Sequence, residues 1–300
     1  MRGIIFGIYL PQTKAMIALM KGFISTIIFS TIMASCLKSP KQELPQMNMK
    51  NEAYGVNAAK KMDIYLPAGR DSINTKVILF VHGGSWSGGD KNEFDSAIAV
   101  LKNKLPDYAM FNMNYRLANR QHRFPAQMED VQSAINFIIN KADSYKINVN
   151  KIVLIGASAG AHLALLQAYK NNSDGRIKAV VDLFGPSDLV SLYNNHPVPA
   201  ASQPVLINFL GATPVTNSTL YHDASPINYV TSQTVPTLIF HGDADYIVPI
   251  SQSIALKNKL QAANVKVEMT VYKNESHGWY GQNLLDTYAK TVDFIKQNVK

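Results

Sequence analysis

Short, nearly unbroken apolar runs alternate along this chain with stretches whose apolar positions recur every three to four residues. Val77-Ile78-Leu79-Phe80-Val81, Ile152-Val153-Leu154-Ile155 and Thr237-Leu238-Ile239-Phe240 are runs of the first kind, and a glycine follows each closely. Runs of this length that carry no polar face read as strands buried on both sides. Val265–Tyr272 alternates instead, as a half-exposed strand does. Strands are expected near 62–66, 76–82, 108–114, 151–156, 178–184, 236–241 and 265–272. Between them, Met128, Val131, Ile135 and Ile138 share one face of a helix over 127–140, and Leu285, Tyr288, Val292 and Ile295 do so near the C-terminus. Strands alternating with helices predict an α/β fold, a mostly parallel central sheet covered on both sides. No internal repeat stands out. The rhythm breaks between Gly185 and Val230, a proline-rich segment with one apolar stretch, Val205–Leu210. A connection of that length carries structure or function, so residues 186–230 are expected to form a cap over a site. Asp188 and Tyr193 are the side chains there that stand as candidates for substrate contact.

Composition narrows the class. With 47% apolar and 17% charged residues, the 300-residue chain is globular. The formal charge of +8 is scattered and forms no stripe interleaved with aromatics, which argues against a nucleic-acid partner. At the N-terminus, Met20-Lys21 opens an apolar stretch, Gly22–Ile32, that ends in Met33-Ala34-Ser35-Cys36 before polar residues. The layout is a signal peptide's, too short for a comfortable membrane span. The expected organisation is a signal over 1–35 with its start at Met20, a linker over 36–53 and one folded domain over 54–300. Small residues before the single cysteine resemble a bacterial lipoprotein signal. That resemblance implies a lipid on Cys36 and an outer-membrane anchor in the cell envelope, with a plain secretory signal as the alternative. One cysteine excludes an intramolecular disulfide.

The candidate chemistry begins at Gly156-Ala157-Ser158-Ala159-Gly160, set between an apolar strand and a helix-like stretch. Strand, Gly-x-Ser-x-Gly and helix make a nucleophile elbow, a sharp turn that lifts a serine hydroxyl off the sheet edge. Upstream, the strand at 76–81 runs into His82-Gly83-Gly84-Ser85-Trp86, whose glycines free backbone N–H groups to hold an oxyanion. Gly83, Gly84 and Ala159 are the expected donors. An acid is expected past the strand at 236–241, at Asp243 or Asp245; spacing alone does not choose. Of the seven histidines, His277 follows the acid in the order Ser, Asp, His. His82 and His241 are expected to brace their loops, His162 to be packed, and His122, His196 and His222 have no nameable partner. No zinc-ligand spacing and no phosphate loop occur, so neither metal nor cofactor is expected.

These residues resemble the α/β-hydrolases of the bacterial carboxylesterase and lipase type with a His-Gly-Gly-x-Trp oxyanion motif. That group takes in kynurenine-formamidase-like proteins and feruloyl or acetyl esterases. The likeness also covers Met62–Pro67, Asn114-Tyr115-Arg116-Leu117, Phe124-Pro125 with Asp130, His241–Pro249 and Ser276-His277-Gly278. In the family pattern the acid precedes x-x-Val-Pro, which is Asp245 here. The resemblance implies Ser158, Asp245 and His277 as the catalytic set, no metal or cofactor, and hydrolysis of a small or carbohydrate-linked ester. Amide, formamide or peptide hydrolysis is the alternative, since one triad serves all these bonds. A binding protein on the same fold is more distant, because such proteins usually lose a triad member.

Overall fold

The computed structural model describes residues 43–300. The expectations for the signal and for Cys36 lie outside those residues. The unit Leu44–Lys300 is built on one eight-stranded sheet in the order β1-β2-β4-β3-β5-β6-β7-β8. The strands are β1 Met47–Ala53, β2 Lys61–Leu66, β3 Lys76–Val81, β4 Tyr108–Met113, β5 Ile152–Ala157, β6 Ile177–Leu183, β7 Thr237–Gly242 and β8 Val267–Tyr272. β2 pairs antiparallel with both β1 and β4, and every other pairing is parallel.

The two-residue period of β3 divides the core. Val77, Leu79 and Val81 point to one face, where they pack with Val131 of α2 (Ala126–Asn140) and Leu163 of α4 (Ala159–Lys170). Ile78 and Phe80 point to the other, with Ile98 and Leu101 of α1 (Asp95–Lys104) and Phe294 of α9 (Gly281–Asn298). Burial on both faces is why these strands read as continuous apolar runs.

Two expectations need correction. Part of the expected linker is strand β1, and its sequence Met-Asn-Met-Lys-Asn-Glu-Ala buries none of its residues fully. An edge strand held by backbone pairing leaves no hydrophobic trace. The face assigned to the last helix also shifts. Val292 and Ile295 are buried, but Leu285 is exposed. At that depth α9 instead turns Thr287 inward, and its hydroxyl accepts a 2.8 Å bond from Trp279 Nε1.

The segment over 186–230 folds into α5 (Leu189–Asn194), α6 (Pro199–Leu210), α7 (Ser218–Asp223) and a 3₁₀ turn, Pro226–Tyr229. The short α3 (Ala142–Tyr145) follows α2, and α8 (Ser251–Ala262) follows β7. Among the described residues no helix is long and apolar enough to cross a membrane.

Candidate active site

β5 delivers Ser158 through a turn that only this spacing of glycines permits. Ser158 takes φ 52° and ψ −119°, a conformation strained for a residue with a Cβ. A Cβ on Gly156 would lie 2.4 Å from the Gly160 carbonyl oxygen, and one on Gly160 only 2.0 Å from that of Val81. The elbow is therefore pressed directly against the end of β3. Ser158 N–H donates to Leu183 O at 2.8 Å, and α4 starts at the next residue.

The loops after β7 and β8 bring the partners. His277 Nε2 lies 2.8 Å from Ser158 Oγ, and His277 Nδ1 lies 2.7 Å from Asp245 Oδ2. Asp245 is saturated. Its Oδ1 accepts from the Ile247 and Val248 amides at 2.8 and 3.0 Å, and Oδ2 also faces His241 Nε2 at 3.3 Å. Burial pushes this carboxyl upward, but hydrogen bonds from His241 and His277 overcome it and hold the group well below the usual carboxylate range. Asp243 does different work: its Oδ1 accepts from Asn274 N–H at 2.6 Å, tying the acid loop to the histidine loop.

The loop after β3 is held from several sides. The His82 ring stacks on Tyr115 at 4.3 Å, and Tyr115 Oη donates to the His82 and Gly83 carbonyls at 3.1 Å each. Gly84, Ser85 and Trp86 all take positive φ, at 96°, 51° and 59°. Trp86 stacks on Phe209 at 4.3 Å, and its Nε1–H donates to His162 Nδ1 at 3.2 Å. His162 then donates Nε2–H to Ala224 O at 2.7 Å, and burial lowers its pKa to about 4. His241 and His82 brace loops as expected, while His196 bonds Ile247 O at 3.2 Å across the rim of the site.

Gly83 differs from its expected use. Its N–H donates to Glu93 Oε2 at 3.3 Å, so it is already engaged. Among the described residues the Gly84 and Ser85 amides have no acceptor within the chain. Glu93 was not among the candidate residues. It closes a capping box in which its Oε1 accepts from Asp90 N–H at 3.2 Å. The spacing Asp90-x-x-Glu93 was the signal that marks such a box.

Pro186, Leu192, Ser202 and Leu206 from the 186–230 segment line a cavity that contains Ser158. Asp188 and Tyr193 do not. Asp188 caps α5 through Ser191 N–H, and Tyr193 meets Tyr221 edge-on. Among the described residues no cluster of three or more His, Cys, Asp or Glu could hold a metal. A serine hydroxyl on an imidazole whose other nitrogen faces a buried carboxylate can lose its proton on attack and return it to a leaving group.

Known proteins resemble this chain in sequence and in fold. Esterase LipC of Mycobacterium tuberculosis is 26% identical over 249 residues, spanning 78% of this chain and 59% of that protein. The chain thus spans little more than half the length of the curated relatives it matches. A solved bifunctional GH43-CE protein of Bacteroides eggerthii superposes with TM-score 0.73 at 28% identity, covering 84% of this chain and 35% of that one. A truncated carbohydrate esterase from gut microbiota superposes with TM-score 0.70 at 26% identity, covering 87% and 99%. The fold is that of the α/β-hydrolases. The BD-FAE family model matches residues 62–260, and the chain belongs to that family.

Proposed function

We propose that this protein hydrolyses carboxylic esters through an acyl-enzyme on Ser158. The observation that carries the reading is the continuous chain from Ser158 Oγ through His277 to Asp245, at 2.8 and 2.7 Å, on a strained elbow. His277 Nε2 takes the serine proton as Oγ attacks the acyl carbon. The oxyanion is held by the Ala159 and Gly84 amides, with Ser85 in the place expected of Gly83. Each such donor contributes about 100- to 1,000-fold in rate. The C–O bond then breaks, and the leaving alkoxide takes the proton from His277. Water, deprotonated by the same imidazole, releases the acid and restores Ser158. Asp245 keeps the Nδ1–H tautomer and stabilises the imidazolium.

The similar proteins described as esterases and carbohydrate esterases support esters carried on carbohydrate as the substrate class. A fluorophosphonate probe should label the protein on Ser158, and Ser158→Ala should abolish both labelling and ester turnover while keeping its melting temperature. Turnover at the parental rate in that variant would refute the mechanism. The signal-like pattern supports a lipid-anchored envelope protein, with Cys36 as the modified residue. Metabolic labelling with a fatty-acid analogue, lost in Cys36→Ser, tests that reading.

A further inference from the structure

Two walls of unlike chemistry meet at the Ser158–His277 pair. On one side, the cavity that contains Ser158 is closed by Trp86, Leu206 and Val248, and none of its lining side chains is charged. On the other, a second cavity begins at Ala157 and Gly278, the chain neighbours of Ser158 and His277. Phe184, Trp279 and Tyr280 supply aromatic walls to it, and Glu93 supplies its one charged side chain. Trp279 is buried and Tyr280 is 88% exposed, so the aromatic wall runs from the interior out to solvent. Phe184 takes φ 48°, a conformation costly for a bulky side chain, and its ring lies 4.5 Å from that of His277. Glu93 approaches the serine from this side: a Cβ on Gly83 would lie 3.6 Å from Glu93 Oε2 and 3.4 Å from Ser158 Cβ.

This carboxylate has structural partners but no counter-charge. Its Oε1 and Oε2 accept from the Asp90 and Gly83 amides at 3.2 and 3.3 Å, and no lysine or arginine pairs with it among the described residues. A glutamine closes a capping box as well as a glutamate does, so capping alone does not call for the charge. A substrate that fills the cavity strips water from the carboxylate, which costs free energy unless an opposite charge arrives with it. The faces of aromatic rings attract ammonium cations, quaternary ones included. Glu93 and the three rings therefore select the same kind of group. Its place on an ester follows from the chemistry. The leaving oxygen must lie within hydrogen-bond reach of His277 Nε2 to receive its proton. Phe184 and Gly278 set the aromatic cavity on the flank of His277, so the alcohol side extends into it.

We propose that the alcohol part of the substrate carries an ammonium group, held between the Glu93 carboxylate and the rings of Phe184, Trp279 and Tyr280. The proposal rests on the ester-hydrolase reading above and adds a charge to the alcohol. The bond changes are those of the acyl transfer already given. The bond between the acyl carbon and the alcohol oxygen breaks, and that oxygen takes the proton His277 removed from Ser158. The acyl group remains on Oγ until water releases it, and the ammonium keeps its charge throughout.

Acetylcholine and 3,3-dimethylbutyl acetate have the same shape and the same acyl group, and differ in a cationic nitrogen against a neutral carbon. The quantity to read is the ratio of their kcat/KM values. Choline is the more acidic alcohol, so the ratio is compared between enzyme variants, where that intrinsic difference cancels. General damage to the oxyanion loop affects both esters and cancels with it. Glu93→Gln should lower the ratio at least about 10-fold, the effect of losing one charge a few ångströms from a partly screened cation. Raising NaCl from about 0.05 to 0.5 M should lower the ratio in the parental enzyme and leave it unchanged in Glu93→Gln. Tyr280→Leu, at an exposed position, should lower it about 3-fold and keeps the test open if Glu93→Gln does not fold. An unchanged ratio in Glu93→Gln, or in Tyr280→Leu should the first not fold, would overturn the assignment and leave the ester-hydrolase reading standing. Absence of turnover on every ester, with no fluorophosphonate labelling of Ser158, would instead remove the ester-hydrolase reading and this assignment with it.

Discussion

Asp245→Asn isolates the electrostatic part of the proposed mechanism because it preserves shape. The aspartate accepts three hydrogen bonds, from the Ile247 and Val248 amides on Oδ1 and from His277 Nδ1 on Oδ2, while His241 Nε2, bonded to Val248 O at 2.8 Å, lies 3.3 Å from Oδ2. An asparagine must turn its NH₂ toward the backbone amides or toward the histidines. Backbone amides cannot become acceptors, whereas an imidazole can change tautomer. The NH₂ group is therefore expected to face the histidines, and His277 then carries its proton on Nε2, aimed at Ser158 Oγ. A protonated Nε2 cannot accept the serine proton. In serine proteases with the same triad, this exchange costs about 10⁴ in kcat through the wrong tautomer. That corresponds to about 5.5 kcal/mol of barrier at roughly 1.4 kcal/mol per decade. We expect a loss of about 10³- to 10⁴-fold in kcat for p-nitrophenyl acetate at neutral pH, with KM changed by less than about 3-fold. The Oδ1 bonds remain, so the variant should fold. Stopped-flow or steady-state kinetics, with circular dichroism as the folding control, measures this. A loss under 10-fold in a folded variant would show that Asp245 does not set the His277 tautomer.

Asp182 gives a pH prediction of defined sign. Burial raises its pKa to about 7, and its Oδ2 is buried without a partner among the described residues, while Oδ1 accepts from Gly185 N–H. Between about pH 4 and 7 the native state holds a proton that the unfolded chain has lost, so this contribution to stability is present at low pH and lost as pH rises through 7. Asp182→Asn should stabilise the protein at pH 8 by up to about 4 kcal/mol and change little at pH 4; urea melts that coincide at pH 8 would contradict it. His162 acts in the opposite direction. Its pKa of about 4 means stability is lost as pH falls from its ordinary value toward 4, a slope that should steepen visibly in Asp182→Asn. Gly160→Ala should cost at least 100-fold in activity or prevent folding, since its Cβ would strike the Val81 and His82 carbonyls at 2.0 and 2.3 Å. Gly88→Ala, with its nearest atom at 3.6 Å, is the near-neutral control, and equal behaviour of the two would refute the steric account. Trp86→Phe removes the donor to His162 Nδ1 and should destabilise by about 1–3 kcal/mol in chemical denaturation; an unchanged midpoint would show that the bond contributes nothing to stability.

What was legible along the chain follows from how local each signal is. The runs that became β3, β5 and β7 are apolar throughout because those strands are covered on both faces. Met128, Val131, Ile135 and Ile138 are all buried in α2, as their spacing required. β1 left no trace because its pairing with β2, rather than its side chains, holds it in place. Leu285 misled for a related reason. Periodicity reports which residues fit a face, and the partner across that face, Trp279, needed a hydroxyl acceptor.

The site divides in the same way. Sequence by itself determined the elbow, because Gly156 and Gly160 meet backbone atoms from their own turn and from β3, and only glycine fits there. It also determined the order of Ser158, acid and His277 along the strand ends. Spacing left Asp243 and Asp245 open and the family pattern pointed to Asp245; the tertiary structure brings Asp245 Oδ2 to His277 and sends Asp243 to Asn274. It likewise decided that Gly83 is engaged by Glu93 and that Ser158 looks into a small chamber with an aromatic cavity beside it. Steric limits within a turn act over a few residues and are written locally. Hydrogen bonds and cavity walls join loops far apart in the chain, as Ser158 and His277 are at a separation of 119 residues, and their distances exist only once the sheet has set the strands side by side.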